Sequence, residues 1–143
     1  MKNQKFGNWV YLVVAVMTIV ALVMYVMNVN APYYQDMNAS VIVMLVVALA
    51  AMGVTLVLPQ NTVVNKVIVD LARVLAAGLI ILAGATFIGM RVESFGYIYG
   101  SNLELGNQQA FDAAGQAITL IVVFVVTWIV SLVASFLEVG KKN

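Results

Sequence analysis

Four long apolar runs constrain the fold of this chain more than any other feature of its sequence. They extend from about residue 9 to 27, 39 to 58, 71 to 90 and 115 to 137, and Arg73 is the only charged side chain within them. A helix needs about 20 apolar residues to cross a bilayer, so each run is long enough. Lipid offers no partners to backbone groups, and the alternation of barrel strands is missing, so we predict helices.

The low charge of the chain excludes a water-soluble domain. Only 9% of the 143 residues are charged and 64% are hydrophobic, whereas a soluble domain carries about 25% charged residues. The first run resembles a signal peptide, but it is too long for one and Pro32 would follow the cleavage point. We therefore predict an all-α membrane protein with four transmembrane helices in an antiparallel bundle, and residues 1–143 forming a single integral membrane domain.

The lysines and arginines predict the orientation of the spans. With four spans, one side of the membrane receives six of the seven positive charges, namely Lys2, Lys5, Lys66, Arg73, Lys141 and Lys142. Only Arg91 falls on the other side. Because positive residues stay on the cytoplasmic side, we expect a plasma membrane protein with both termini cytoplasmic. Residues 28–38 and 91–114 would then be outer loops, and residues 59–70 the inner loop.

A pair of opposite charges at helical spacing lies where the inner loop meets the third span. Pro59 ends the second helix, and Asn61 or Thr62 can cap the third. Asp70 and Arg73 are three residues apart and share a helix face, which predicts an interfacial ion pair. The alternative is a proton- or ion-handling role for Asp70.

Small and hydroxylated residues in the third and fourth spans predict close helix packing. Ala85 and Gly89 form a small-xxx-small step, and Thr127, Ser131 and Ser135 follow one another at intervals of four. Such residues let membrane helices approach each other closely, so we assign both sets to the seam of the bundle. The alternative is a hydroxyl-lined conduit, which would need facing polar residues on the other spans.

The sequence lacks the residues on which most catalytic and metal sites depend. It contains no cysteine and no histidine, which excludes thiolate and imidazole ligands and the commonest general base. No pair of carboxylates lies within the spans. We expect no enzymatic activity, no metal and no cofactor, and the net charge of +1 indicates no nucleic-acid partner.

Aromatic residues concentrate in the two predicted outer loops. These residues, flanked in the longer loop by Arg91 and Glu93, are Tyr33, Tyr34, Phe95, Tyr97 and Tyr99. Two interpretations remain open. The tyrosines can form an aromatic belt at the headgroups, or they can dock a partner protein or lipid, with Arg91 and Glu93 orienting the patch or holding a lipid phosphate.

The stretch "RVESFGYIYGSNLELGN" (91–107), the apolar run before it and "VSLVASFLEVGKK" (130–142) resemble small four-span membrane proteins of Gram-positive, often gut-dwelling, bacteria. The resemblance implies a bacterial plasma membrane and carries no established activity, ligand or catalytic residue.

These observations favour a non-catalytic membrane subunit or scaffold. It would assemble with itself as a homo-oligomer, or support a larger membrane or cell-surface protein, through the small-residue seam and the outer aromatic loops. Membrane lipid is the other expected partner. The alternative is a small oligomeric channel or transporter whose pathway lies between protomers and uses Asp70, Arg73 and the hydroxyl stripe.

Overall fold

A computed structural model describes residues 6–137 of the protein. Within that range there are four helices: α1 Phe6–Val29, α2 Ala39–Val57, α3 Val63–Tyr99 and α4 Gln108–Ser135. All four are long and apolar enough to cross a membrane, which confirms the prediction of an all-helical chain with four candidate spans. Four of the lysines used to predict the orientation lie outside the described residues, namely Lys2, Lys5, Lys141 and Lys142.

Polar side chains at the helix starts determine where three of the helices begin. The side chains of Asn38, Thr62 and Asn107 accept hydrogen bonds from backbone N–H groups in the first turns of α2, α3 and α4. These bonds satisfy donors that have no partner within the helix. At the other end of α2, the chain leaves the helical conformation at Leu58, the residue before Pro59.

The third helix is longer than the apolar run that predicted it. It has 37 residues, which corresponds to about 55 Å at 1.5 Å per residue. Residues 91–99, which we expected in a loop, form its last turns, whereas its first turns, residues 63–70, follow the cap that we placed at Asn61 or Thr62 and that the structure has at Thr62. The polar residues of 91–99 suggested a loop, but their side chains contact neighbouring helices or solvent in a regular helical pattern. The α3–α4 connection is therefore only residues 100–107.

Each helix packs against the next, and α1 also packs against α4. Two levels of polar contact identify the ends of the molecule. Asn28 of α1 meets Arg91 of α3 and Ala113 of α4 at one level, which we call the Arg91 end. Arg73 of α3 meets Tyr11 of α1 and the last turn of α4 at the other, which we call the Arg73 end.

Small residues on the inner side of α3 allow the close packing. Ala72, Ala76, Ala83 and Gly84 are all buried. At Gly84, a Cβ atom would lie only 3.2 Å from Cβ of Phe124. The backbone of α3 therefore approaches α4 at a distance that favours glycine. Larger apolar side chains fill two clusters, one towards each end, that include Met52 and Ile80, and Tyr25, Phe87 and Phe124.

Candidate functional site

The Arg91 guanidinium is the centre of a polar network at its end of the molecule. The residue is completely buried, with 0% of its surface exposed. Its Nη1 and Nη2 atoms donate to the two carboxylate oxygens of Asp36, at 2.6 and 3.1 Å. Its Nε atom donates to Oδ1 of Asn28 at 2.8 Å. This bidentate, charge-assisted geometry links the α1–α2 loop and α1 to α3.

Aromatic rings surround the same guanidinium. Its central carbon lies 3.6 Å from the centroid of the Tyr34 ring and 4.9 Å from that of Phe87. Both rings attract the cation and exclude water from it. Arg91 is therefore closed to a lipid phosphate, contrary to one of the roles we expected for it, because the residue has no exposed surface and each of its three nitrogens donates within the protein. Its role is to position the loop that carries Tyr34 and Asp36.

Asn28 extends this network to α4. Its side chain is fully buried, and its Nδ2 atom donates to the backbone oxygen of Ala113 at 3.0 Å and to Oε1 of Gln116 at 3.1 Å. Arginine has donors only, so the contact with Arg91 requires Asn28 to present its oxygen there and its amino group to α4. The orientation of the Gln116 amide follows from that of Asn28.

Most of the predicted aromatic patch packs internally. Tyr33 and Tyr34 meet edge to face at 5.0 Å, and Tyr99 contacts both Phe95, at 6.2 Å, and Phe111 of α4, at 5.8 Å. Together with the buried residue Ile98, these rings join the α1–α2 loop to α3 and α4. The structure thus brings together four of the five predicted aromatic residues, which contact one another, Phe111 and the Arg91 guanidinium.

Two hydrogen bonds fix the tyrosines of the α1–α2 loop. The Tyr34 hydroxyl lies 3.0 Å from Oγ of Ser94, and the Tyr33 hydroxyl donates to Glu104 at 3.1 Å. Burial raises the pKa of Tyr33, and the hydrogen bond and charge of Glu104 raise it further. Tyr33 therefore remains a donor at neutral pH, and the bond ties the α1–α2 loop to the α3–α4 connection.

Tyr97 and Glu93 lie on the outside of this structure. Tyr97 is 41% exposed and its hydroxyl donates to the Glu93 carboxylate one turn earlier on α3. Tyr99 is also half exposed, despite its ring contacts. Of the residues predicted to form a docking patch, these three are exposed, whereas Tyr33, Tyr34 and Phe95 are half-buried and Arg91 is buried.

A cleft opens between the last turn of α1 and the first turns of α4, beside the Arg91 network. Its volume is about 530 Å³. We call it the α1–α4 cleft, and its lining residues are Met27, Asn30, Ala31, Pro32, Gln109, Asp112, Ala113 and Gln116. Half of these side chains are polar, and none was singled out by the sequence.

At the Arg73 end, the predicted ion pair is present but is not the main contact of the arginine. Nη1 of Arg73 lies 3.7 Å from the Asp70 carboxylate, whose side chain is 72% exposed. Shorter contacts join Nη2 to the backbone oxygens of Ala134 and Leu137, and Nε to the Tyr11 hydroxyl. Arg73 therefore caps the C-terminal end of α4, where a positive charge is favoured.

The hydroxyl stripe of α4 faces the interior and is paired within its own helix. Thr127 and Ser131 are buried and Ser135 is partly buried. Their hydroxyls donate to the backbone oxygens of Val123, Trp128 and Leu132 on the same helix. The stripe thus packs among the helices, as a seam would, but contributes no hydrogen bond between them.

The predicted Ala85–Gly89 step does not pack within the protomer. Both residues are exposed, and a Cβ at Gly89 would have no atom within 4 Å. The inward position that we assigned to them is wrong, because Ala83, Gly84 and Phe87 take the inner side of that turn. Ala85 and Gly89 belong to a band that spirals along the outer side of α3 with alternating spacings of four and three. We call this band the α3 face, and it comprises Gly78, Leu82, Ala85, Gly89, Val92, Gly96 and Tyr99.

No protein-family model, curated protein or solved structure matches this chain. Among residues 6–137, no group of three or more acidic, histidine or cysteine side chains is arranged to hold a metal ion.

Sequence reasoning missed the residues that complete the Arg91 network, namely Asp36, Asn28 and Gln116. One signal for Asp36 was present: it is the only charged residue of the α1–α2 connection, and Arg91 is the only positive charge predicted for the same side. A lone arginine at the edge of a span requires a counter-charge. The amides of Asn28 and Gln116 carry no comparable signal.

Proposed function

We propose that the protein is a non-catalytic membrane subunit that assembles through the α3 face with a second copy of itself or with a larger membrane or cell-surface protein. In this proposal the four helices cross the plasma membrane as an antiparallel bundle. The Arg73 end, with both termini, lies in the cytoplasm, and the Arg91 end lies outside.

The observation that carries the proposal is that three glycines of the α3 face, of which Gly89 and Gly96 are exposed and Gly78 is half-buried, contact no other part of the protomer. Cβ atoms at Gly78, Gly89 and Gly96 would have no atom within 4 Å, so packing inside the protomer gives no reason for these glycines. Glycine in a helix interior costs about 1 kcal/mol relative to alanine. In a membrane, small residues at this spacing allow another helix to approach closely, which recovers that cost through packing.

The length of the α3 face supports an extended helix contact. From Gly78 to Tyr99 it covers 21 residue steps, about 32 Å at 1.5 Å per residue. Its alternation of four and three is the spacing of a left-handed helix pair. The exposed parts of Val92 and Tyr99 lie at the end of this band, so the aromatic residues that remain accessible continue the same surface.

The polar residues favour this proposal over a channel or transporter. A pathway between protomers needs hydroxyls on the outside of the protomer, whereas Thr127 and Ser131 are buried and bonded to their own helix. Every buried side-chain nitrogen or oxygen among residues 6–137 has a hydrogen-bond partner. Asp70 is exposed at the surface beside Arg73, with 72% of its side chain accessible.

The test is a bulky substitution on the α3 face. We expect Gly89→Leu to reduce association at least about tenfold, measured by native mass spectrometry of protein released gently from its own membrane, because it blocks close helix approach. Gly115→Leu is the matched control, since Gly115 is also exposed with no atom within 4 Å of its Cβ position, but lies on α4.

Each outcome of this comparison is informative. Loss of a homo-oligomer in Gly89→Leu alone would identify a second copy as the partner, and loss of a heavier complex would identify a different protein. Unchanged association in Gly89→Leu, or equal loss in both variants, would contradict the proposal. A flux assay of Asp70→Asn in proteoliposomes tests the alternative, because a channel that uses Asp70 would lose its ion flux.

A further inference from the structure

The α1–α4 cleft has no role in the assembly proposed above, and its polar groups have fixed directions. Gln116 must present its Oε1 atom to Asn28, because Asn28 must present its oxygen to Arg91. The Nε2 atom of Gln116 is therefore left as a donor on the cleft wall. Asn30 uses its Nδ2 atom to donate to the backbone oxygen of Val26, at 2.8 Å, which leaves its Oδ1 atom as an acceptor.

Asp112 adds a negative charge to the acceptor side of the cleft. Its Oδ1 atom accepts a hydrogen bond from Gln108 at 2.8 Å, and its carboxylate forms no ion pair with any described residue. The cleft contains no lysine or arginine, and the nearby Arg91 is fully buried and bonded to Asp36. The cleft therefore favours a positively charged group and disfavours an anion.

The surroundings of the cleft carry the same sign of charge. Residues 30–38 and 91–114 contain four carboxylates and one guanidinium, a formal net charge of −3. Beyond Asp36, whose carboxylate pairs with Arg91, this leaves Glu93, Glu104 and Asp112 without a cation. A surface of this charge attracts cationic groups and repels ligands that are only anionic.

The cleft lies where α4 changes from polar to apolar. Residues 107–109 and Gln116 are polar, and the apolar run follows Gln116. Met27, which closes the cleft on the α1 side, is 56% exposed. A ligand with its polar group in the cleft could therefore lay an acyl chain along the apolar surfaces of α1 and α4. The cleft is open on one side, and its volume of about 530 Å³ exceeds what a single ion needs.

From these observations we infer that the α1–α4 cleft binds the headgroup of a membrane lipid that carries a primary ammonium group next to a phosphodiester. The ammonium donates to the Asp112 carboxylate and to Oδ1 of Asn30. The Nε2 atom of Gln116 donates to a phosphodiester or ester oxygen. A primary ammonium has three N–H donors for these acceptors, whereas a quaternary ammonium has none.

Lipid selectivity of the whole protein tests this inference. Purified protein is titrated with phosphatidylethanolamine, phosphatidylcholine and phosphatidylglycerol of matched acyl chains, and bound lipid is counted by native mass spectrometry. We expect phosphatidylethanolamine to bind about tenfold more tightly than either of the others, the size of one charge-assisted hydrogen bond. Equal binding of the three lipids would overturn the inference.

Two substitutions locate the binding to the cleft. Asp112→Asn removes the charge but keeps an oxygen for Gln108, and we expect it to abolish the preference for phosphatidylethanolamine. Glu93→Gln is the matched control, because it removes an exposed carboxylate of the same end that does not line the cleft. An unchanged preference in Asp112→Asn, or an equal loss in Glu93→Gln, would overturn the assignment.

A soluble headgroup distinguishes a lipid from a small amine. Glycerophosphoethanolamine, which lacks acyl chains, is added as a competitor. We expect it to compete only at concentrations at least about a hundredfold higher than the lipid, because the apolar walls of α1 and α4 contribute nothing to its binding. Competition at equal concentration would show that the ligand comes from solution and would overturn the lipid assignment. Circular dichroism of each variant confirms that the helices are retained.

Discussion

A buried arginine needs a counter-charge more than an exposed carboxylate does, because water can solvate the carboxylate but not the arginine. Arg91 is fully buried, whereas the side chain of Asp36 is 39% exposed and can be hydrated without its partner. Removing Asp36 leaves a buried charge uncompensated, and removing Arg91 does not. The two halves of this pair should therefore contribute unequally to stability.

At the residue scale, we expect Asp36→Ala to lower the free energy of unfolding by about 3 kcal/mol and Arg91→Met to lower it by about 1–2 kcal/mol. The free energy is measured by unfolding each variant in SDS, with circular dichroism reporting the loss of helix. The double variant should lose no more than Asp36→Ala alone, because it leaves no unpaired charge. A larger loss for Arg91→Met than for Asp36→Ala would contradict the account of this pair.

At the element scale, the two sides of α3 should respond differently to the same substitution. Gly84 approaches α4 so closely that a Cβ would lie 3.2 Å from Cβ of Phe124, whereas Gly89 faces open space. We expect Gly84→Leu to cost about 1–3 kcal/mol by forcing α3 and α4 apart. Gly89→Leu should leave the stability of the isolated protomer unchanged or slightly higher, since leucine favours helix more than glycine does. Thermal unfolding in detergent at low protein concentration measures both, and equal losses would contradict this packing.

The end of α4 is a second element whose behaviour depends on one side chain. Arg73 donates to the backbone oxygens of Ala134 and Leu137. We expect Arg73→Met to accelerate hydrogen exchange in the last turn of α4 about fivefold, corresponding to the loss of about 1 kcal/mol of local stability. Asp70→Asn should change the exchange little, because its contact with Arg73 is 3.7 Å long and exposed. An equal effect of the two substitutions would assign the stability to the ion pair instead.

The differences between the predicted and the observed structure also occur in particular elements. The four apolar runs predicted the helices because lipid permits no other arrangement of a single apolar segment. The boundaries of α3 were not predictable from hydropathy, since residues 91–99 are polar enough for a loop and periodic enough for a helix. Which small residues pack inside was not predictable either. Gly84 and Gly89 are the same residue type, and only the structure shows that Gly84 faces Phe124 whereas Gly89 faces open space.

At the scale of the whole molecule, the charged residues are distributed unequally between the two ends. Arg91 is the only lysine or arginine in residues 30–38 and 91–114, whereas the other six positive residues belong to the opposite side in the predicted topology. This asymmetry supports an orientation with the Arg91 end outside.

The chain contains no cysteine, so single cysteines can report its orientation without background. We expect Asn102→Cys, in the α3–α4 connection, to react with a membrane-impermeant thiol reagent in intact cells. Asn61→Cys, in the α2–α3 connection, should react only after the cells are opened. Both residues are exposed, so access is set by the membrane. The reverse pattern would invert the orientation, and labelling of both in intact cells would contradict four spans.

The central claim, that the α3 face is covered by another helix in the membrane, is tested most directly by cysteine cross-linking in native membranes. Ala85→Cys, Gly89→Cys and Val92→Cys place a thiol on the face, and Ile118→Cys and Val122→Cys place one on the exposed surface of α4. The account predicts that oxidation or a short bifunctional thiol reagent gives a discrete cross-linked product from the three α3 positions and none from the two α4 positions. A product of twice the chain mass would identify a second copy, and a heavier product a different protein. Absence of any product from the α3 positions, or equal products from both helices, would contradict it.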